Sequence, residues 1–293
     1  MLTMNALTED ELITALEKAL PEIAEGHQAG ATAWNPHDWV PWDLGRNFSF
    51  LGGEDWDPSQ ATISDEARAG VLALLLTKDN LPSYHRVLAK HFPAFSDWRQ
   101  LVGVWTAEDN RHAIVLRDYL VVTRAIDPVD AEERRRIHVT AGYRQHEAAV
   151  AELAPMDVLA LMAVHENQCV GYLDKLTGAV TDDVFSQILA KIAADDAQQA
   201  KTFGAFLAAG LVADQEACIL AVDRALARLA TEPIGYDIAD FDAERALIAG
   251  YETDATRAAI AATLADQLKL DTVQELSETA DSARRRILSL AGR

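Results

Sequence analysis

The chain has 293 residues, of which 49% are hydrophobic and 25% charged, a balance typical of a globular protein that can bury a substantial core. Its formal net charge of -20 disfavours nucleic acid and anionic membrane surfaces as partners, because both would repel the chain at long range. No apolar run approaches the roughly 20 residues that span a bilayer, and the acidic, amphipathic N-terminus is unlike a signal or transit peptide, so a cytoplasmic protein is predicted.

Helices are predicted along most of the chain, because Ala, Leu, Asp and Glu dominate while Gly and Pro are few. An amphipathic helix that Thr8 can cap is predicted over 8–26. A long ordered loop over 30–62 follows, rich in Trp, Pro, Gly, Asn and Asp. From residue 63 apolar residues recur three and four apart, which predicts further helices. These are placed at 63–90, 97–124, 132–152, 156–177, 181–210, 213–230, 253–268 and 271–291.

This pattern predicts one all-α domain, a helical bundle with additional helices, because strand alternation is not found in the sequence. The domain is divided into an N-terminal helix with an aromatic loop (1–62), a core bundle (63–230) and C-terminal helices (231–293). Cys169 and Cys218 show neither a CxxC pair nor zinc-type spacing, so both are expected to be free thiols.

The stretch WTAEDNRHA, at 105–113, carries the first chemical signal. Asp109 lies three positions before His112, so on a helix both side chains leave one face and can share a metal ion. In four-helix bundles that hold two metals, two helices each contribute a carboxylate-x-x-His pair and two others each contribute a Glu. The stretch is therefore a candidate for half of a di-metal site.

The other long helices offer further polar residues near their middles. Glu166 lies within the apolar stretch LMAVHENQCVGYL, where a carboxylate risks burial and then needs a partner. The remaining candidates are Lys78 and Asp79 in TKDNLPSYH, and Asp195, Asp196 and Gln199 in AADDAQQA.

The order of these motifs resembles that of the soluble acyl-(acyl carrier protein) desaturases, the stearoyl-carrier-protein type, and most closely their actinobacterial members. The resemblance extends from about Trp34 to about residue 210. WTAEDNRH and TKDNLPSY are specific, and a chance match to both in order and spacing is improbable. The motifs are WNPHDWVP at 34–41, LTKDNLPSYH at 76–85, WTAEDNRHA at 105–113, HEN at 165–167 and IAADD at 192–196.

The resemblance implies a homodimeric, ferritin-like four-helix bundle with additional helices. In such enzymes a di-iron centre activates dioxygen and two hydrogens are removed from an acyl chain. The chain is presented on acyl carrier protein, and the electrons come from ferredoxin. The expected cofactor is therefore iron, and the expected partners are acyl carrier protein, a ferredoxin-type reductant and a second copy of this chain.

The family's ligand scheme is a Glu, a Glu-x-x-His, a second Glu and a second Glu-x-x-His, and this sequence departs from it. Lys78 has no lone pair in its charged form, and its charge opposes a nearby dication. Gln199 offers only a neutral amide oxygen where the family has imidazole. In chain order the six family positions fall on Lys78, Asp109, His112, Glu166, Asp196 and Gln199.

Four further positions correspond to residues that the family places around its metals. Trp34, Trp105 and Asp195 stand where the family has electron-transfer residues, and Cys169 replaces a threonine near the oxygen-binding face. Asn110 and Arg111 are expected to fix their helix through contacts around the metal ligands rather than to react.

Three interpretations remain open. In the first, the protein is a desaturase-like oxidase with an unusual centre, such as one metal on Asp109, His112, Glu166 and Asp196. In the second, it is a non-redox family member in which Lys78 replaces the metal's charge, leaving an acyl-carrier-protein or lipid-binding scaffold or a protein with a different activity. In the third, these residues are ordinary core pairs and solvated faces.

An acidic partner would require a local basic patch on this acidic chain. The candidate patches are the arginine runs at 134–136 and 284–286, although solvated helix faces are the simpler interpretation of both.

Overall fold

The computed structural model describes residues 7–93, 95–141 and 153–293, and the regular elements in these ranges are all helical. The predicted all-α class is therefore confirmed. The α-helices are α1 Glu9–Gly30, α2 Asp65–Asp79, α3 Leu81–Ala89, α4 Arg99–Val122, α5 Pro128–Ala141, α6 Pro155–Ala179, α7 Asp183–Ala213, α8 Gln215–Arg228, α9 Asp242–Leu247, α10 Asp254–Gln267 and α11 Glu278–Leu290.

The N-terminal helix and the aromatic loop form as the sequence predicts. Thr8 caps α1 in a capping box with Glu11, which satisfies free backbone N–H groups at the helix start. The loop contains single turns of 3₁₀ helix rather than α-helix. These turns are Pro36–Asp38, Trp42–Leu44, Ser49–Leu51 and Pro58–Gln60.

The single helix predicted over 63–90 is wrong, because the structure divides it into α2 and α3 at Asn80. Pro82 lacks a backbone N–H, and in a continuous helix its ring would clash with the carbonyl of Lys78. The break places Lys78 in the last turn of α2, where the helix dipole favours a positive charge.

Other predicted boundaries also need correction. The helix predicted over 271–291 begins only at Glu278, because the Ser277 side chain accepts a hydrogen bond from the Ala280 N–H and caps α11 there. The helix predicted over 132–152 begins earlier, at Pro128, and its residues 142–152 lie outside the described part of the chain.

Helices α2, α4, α6 and α7 form the bundle, with α6 packed along α7, α2 against α4 and α6, and α4 against α7. Two apolar clusters fill opposite halves of it. One includes Trp105 and Phe203, and the other includes Cys169 and Ile192. A buried layer of polar side chains lies between these halves. No described helix is long and apolar enough to cross a membrane.

Candidate functional site

The Lys78 ammonium lies at the centre of the polar layer. Its Nζ is 2.7 Å from Asp109 Oδ1, 3.0 Å from Asp196 Oδ1 and 4.0 Å from Glu166 Oε2. Lys78 is only 1% exposed. Burial opposes its charge, but attraction by Asp109 and Asp196 prevails and holds the pKa of Lys78 well above its usual value. A fixed cation therefore lies among three carboxyl groups that come from α4, α6 and α7.

His112 has carboxylates at both ring nitrogens. Nε2 is 2.9 Å from Asp195 Oδ2, whereas Nδ1 is 3.2 Å from Asp109 Oδ1 and 3.4 Å from Asp196 Oδ1. Burial opposes protonation, but the hydrogen bonds with Asp109 and Asp195 prevail and raise the pKa of His112 to about 9. The ring is thus a cation at neutral pH, and neither nitrogen has a free lone pair for a metal.

Asp195 links this layer to the aromatic loop. Its Oδ2 accepts hydrogen bonds from Trp34 Nε1 at 2.9 Å and from Arg111 Nε and Nη2 at 2.9 and 2.7 Å. The Arg111 guanidinium also lies over the Trp34 ring, 4.8 Å from its centroid. The structure thus brings Trp34, His112 and Asp195 together, and Arg111 holds Asp195 in place.

Glu166 has one satisfied oxygen and one unsatisfied oxygen. Trp105 Nε1 donates a 2.8 Å hydrogen bond to Oε1, whereas Oε2 has no hydrogen-bond partner within the described part of the chain. Burial, together with the nearby carboxylates, outweighs the attraction of Lys78 and raises the pKa of Glu166 to about 8. Glu166 is therefore largely a neutral acid at pH 7.

Cys169 lies one helical turn after His165 on α6, and its Sγ is 3.7 Å from His165 Nε2. The His165 ring stacks on Tyr84 at 4.5 Å between centroids. Burial and the charge of Lys78 lower the pKa of His165 to about 3, so its ring is neutral. Cys169 and Cys218 are both free, as predicted, and Cys218 lies elsewhere, 3.3 Å from the Leu207 carbonyl oxygen.

Gln199 connects the layer to residues that the sequence analysis did not identify. Its Nε2 donates to Glu108 Oε2 at 3.2 Å, and both Glu108 oxygens lie 3.1 Å from His27 Nε2. Thr202 Oγ1 is 2.7 Å from His27 Nδ1. Glu108 is next to Asp109 in the sequence, which was a weak indication that it lies near the site. No sequence pattern indicates that His27 on α1 contacts α4 or α7.

These residues do not fit the family's two-iron centre. Lys78 Nζ lies within hydrogen-bond distance of Asp109 and Asp196, the carboxylates that the family scheme assigns to the metals. Both His112 nitrogens are engaged, and Gln199 has replaced the second imidazole.

Two sets of three residues in the described chain nevertheless have possible ligand atoms that lie within 4.8 Å of one another inside each set. They are Asp109, His112 and Asp196, and Glu166, Cys169 and Asp196.

A cavity of about 380 Å³ lies between α1, α4 and α7, beside the polar layer. Its volume falls within the range of small-molecule pockets. Trp105 and Gln199 line both the cavity and the layer, and His27 lies at its polar side. The apolar lining is formed mainly by Leu20, Ile23, Leu101, Val104, Phe203 and Phe206.

The two arginine runs form ion pairs with acidic side chains, which supports their interpretation as solvated helix faces. Such pairing reduces the positive charge that a partner would meet. The pairs are Arg134–Asp130, Arg135–Asp79, Arg136–Glu133, Arg284–Asp281, Arg285–Asp281 and Arg286–Asp223.

Comparisons with known proteins agree with this architecture. A family model described as "Fatty acid desaturase" matches residues 8–293. DesA1 of Mycobacterium tuberculosis, named as an acyl-[acyl-carrier-protein] desaturase, is 40% identical over 194 residues, which span 65% of this chain and 57% of DesA1. DesA2 of the same organism, named likewise, is 37% identical over 194 residues, which span 66% of this chain and 69% of DesA2.

The fold has a solved counterpart. The X-ray structure of DesA2 from Mycobacterium tuberculosis matches with a TM-score of 0.67 and 28% sequence identity. The match covers 88% of this chain and 93% of that chain. The predicted ferritin-like helical fold is thereby confirmed.

Proposed function

The chain belongs to the fatty acid desaturase family, and from that premise we propose that it is an acyl-[acyl-carrier-protein] desaturase-like protein of fatty acid or lipid metabolism. It acts on or binds acyl chains that acyl carrier protein presents. The names of DesA1 and DesA2 support this carrier, although the chain spans only 57% of the length of DesA1.

The cavity beside the polar layer is the observation that carries the binding part of the proposal. Its apolar lining suits an acyl chain, because burying methylene groups is favourable by about 0.8 kcal/mol each. Trp105 and Gln199 form the boundary between this cavity and the buried charges, so a bound chain would lie next to the layer.

Iron is the cofactor that the family implies, and the proposal for this chain includes fewer iron ions than the family's two. Asp109, Glu166 and Asp196 remain the candidate ligands, and His112 could join them only after losing a proton to free one ring nitrogen. Lys78 takes the place of one cation among them. A homodimer, a cytoplasmic location and a ferredoxin-type reductant for an active oxidase are proposed from the family alone.

A second candidate function is favoured by one observation, the close contacts of Lys78 with Asp109 and Asp196. In this alternative the protein is a non-redox family member that binds acyl chains or their carrier, and Lys78 supplies the charge that a metal supplies elsewhere. Trp34, Trp105, Cys169 and Asp195 then support the layer instead of transferring electrons.

Binding of acyl carrier protein tests the shared part of both candidates. Fluorescence anisotropy should show that carriers loaded with acyl chains of different lengths bind about tenfold or more tightly than the unloaded carrier, a difference of about 1.4 kcal/mol. Equal affinity for loaded and unloaded carrier, or no binding of either, would contradict the proposal.

A pair of variants on α1 connects the binding to the cavity. Ala24 lines the cavity, so Ala24→Trp should fill it and remove the preference for loaded carrier. Glu25→Trp adds the same bulk at the exposed neighbouring position and should leave the preference unchanged. Product analysis with dioxygen and a reductant then separates the candidates, because only the oxidase forms an unsaturated chain.

A further inference from the structure

Three buried side-chain oxygens in the polar layer have no hydrogen-bond partner among the residues that the structure describes. They are Glu166 Oε2, Asp196 Oδ2 and Gln199 Oε1. Each of these residues is at most 1% exposed. An unpaired buried polar atom costs about 1–3 kcal/mol, and more when the group is charged, so three of them in one layer indicate a missing partner.

The three residues lie on neighbouring faces of two packed helices. Asp196 and Gln199 are three residues apart on α7, so their side chains share one face. Glu166 and Cys169 have the same spacing on α6, which packs along α7. Ligand atoms of Glu166, Cys169 and Asp196 lie within 4.8 Å of one another. A metal ion placed between the helices can therefore reach Glu166, Cys169 and Asp196, and Gln199 lies one helical turn from Asp196 on the same face of α7.

Lys78 does not satisfy these oxygens. Its Nζ bonds the other oxygen of Asp196, Oδ1, and stays 4.0 Å from Glu166 Oε2. Lys78 therefore lies close enough for its charge to act on Cys169, but it leaves Asp196 Oδ2 and Glu166 Oε2 without a hydrogen bond from the described residues.

We propose that Glu166, Asp196 and Cys169 form a binding site for one divalent cation that accepts thiolate ligands, with Gln199 Oε1 as a fourth ligand. Zn²⁺ fits this donor set, because it binds sulfur and carboxylate oxygen in tetrahedral four-ligand sites. Lys78 replaces the second cation. The site thus holds one ion and uses a cysteine that the family scheme does not employ.

Sulfur ligation gives a test that does not depend on enzymatic activity or on carrier binding. Protein stripped with a chelator is titrated with Co²⁺, a spectroscopic substitute for Zn²⁺, and the bound metal is measured. We expect about one equivalent per chain and a near-ultraviolet thiolate-to-Co²⁺ charge-transfer band, and Zn²⁺ should displace the Co²⁺.

The two cysteines provide matched variants. Cys169→Ser should lose the charge-transfer band and bind Co²⁺ about 10–100-fold more weakly. Cys218→Ser should keep both properties, because Cys218 lies in a different apolar cluster. Since the chain has only two cysteines, a band retained in Cys218→Ser assigns the sulfur ligand to Cys169, even where Cys169→Ser fails to fold.

Three results would overturn the proposal. They are no Co²⁺ uptake by the stripped protein, uptake without a sulfur band, and a band that disappears in Cys218→Ser. Each of them leaves the proposed binding of acyl carrier protein unaffected, because carrier binding is measured separately.

Discussion

Replacing Lys78 with methionine isolates the role of the buried cation. The change keeps an unbranched side chain but removes the ammonium that bonds Asp109 at 2.7 Å and Asp196 at 3.0 Å. Removing one partner of a buried ion pair typically costs about 3–5 kcal/mol, because the remaining charges are left uncompensated. Since Lys78 contacts two carboxylates and is 1% exposed, we expect a loss within this range at about pH 7.5.

The pH dependence of this loss identifies its cause. Without Lys78, Asp109 and Asp196 should take up protons at a higher pH, so the variant recovers part of its stability as the pH falls towards about 5. Urea unfolding followed by circular dichroism, with chelator present, measures the free energy of unfolding of both proteins at each pH.

A lysine on the surface provides the control. Lys175 is exposed and pairs with Asp174 at 3.6 Å, so Lys175→Met should change the free energy of unfolding by no more than about 0.5 kcal/mol. The reasoning would be refuted by a Lys78→Met variant that loses less than about 1 kcal/mol. An equal loss at both pH values would refute the electrostatic explanation.

Three other predictions concern the same layer. Because the pKa of His112 is raised to about 9, the folded protein holds a proton that the unfolded chain releases near pH 6.5. The contribution of His112 to the free energy of unfolding is thus full below about pH 6.5 and should fall by roughly 3 kcal/mol towards pH 9. In urea unfolding, His112→Gln should make the free energy of unfolding less dependent on pH over this range. An unchanged pH dependence in this variant would contradict the raised pKa. Lys78→Glu combined with Gln199→His should raise metal uptake to two ions, as elemental analysis would show; a folded double variant that takes up no more metal than the parent would mean that the family positions are wrongly assigned. Trp105→Phe removes the hydrogen bond to Glu166 Oε1 and should lower the free energy of unfolding by about 1–3 kcal/mol, whereas a loss below about 0.5 kcal/mol would show that this bond is unimportant.

The contacts within one helix were predictable from the sequence, because helical spacing fixes them. Asp109 and His112 are neighbours on α4, and the burial of Glu166 follows from its apolar flanks. The helix break before Pro82 was also predictable, because proline cannot continue a helix from the preceding turn. It was missed because apolar residues recur at helical spacing across the whole of 63–90.

The contacts between helices were not predictable in the same way. The Glu108–His27 pair depends on how α1 crosses the bundle, and no sequence pattern specifies that crossing. No sequence pattern specifies that His112 Nε2 contacts Asp195, or which carboxylate oxygens Lys78 leaves without a hydrogen bond. These features depend on side-chain directions in the packed layer.

The most direct test of the account is the number of metal ions held by each chain, measured by elemental analysis after expression with added iron, zinc and manganese. The account predicts about one equivalent in total, because Lys78 takes the place of the second cation and the donor set around Cys169 suits one ion. Two equivalents in the unaltered protein would contradict the role assigned to Lys78. Less than about a tenth of an equivalent would contradict both the cation site and an oxidase function, and would favour the non-redox alternative.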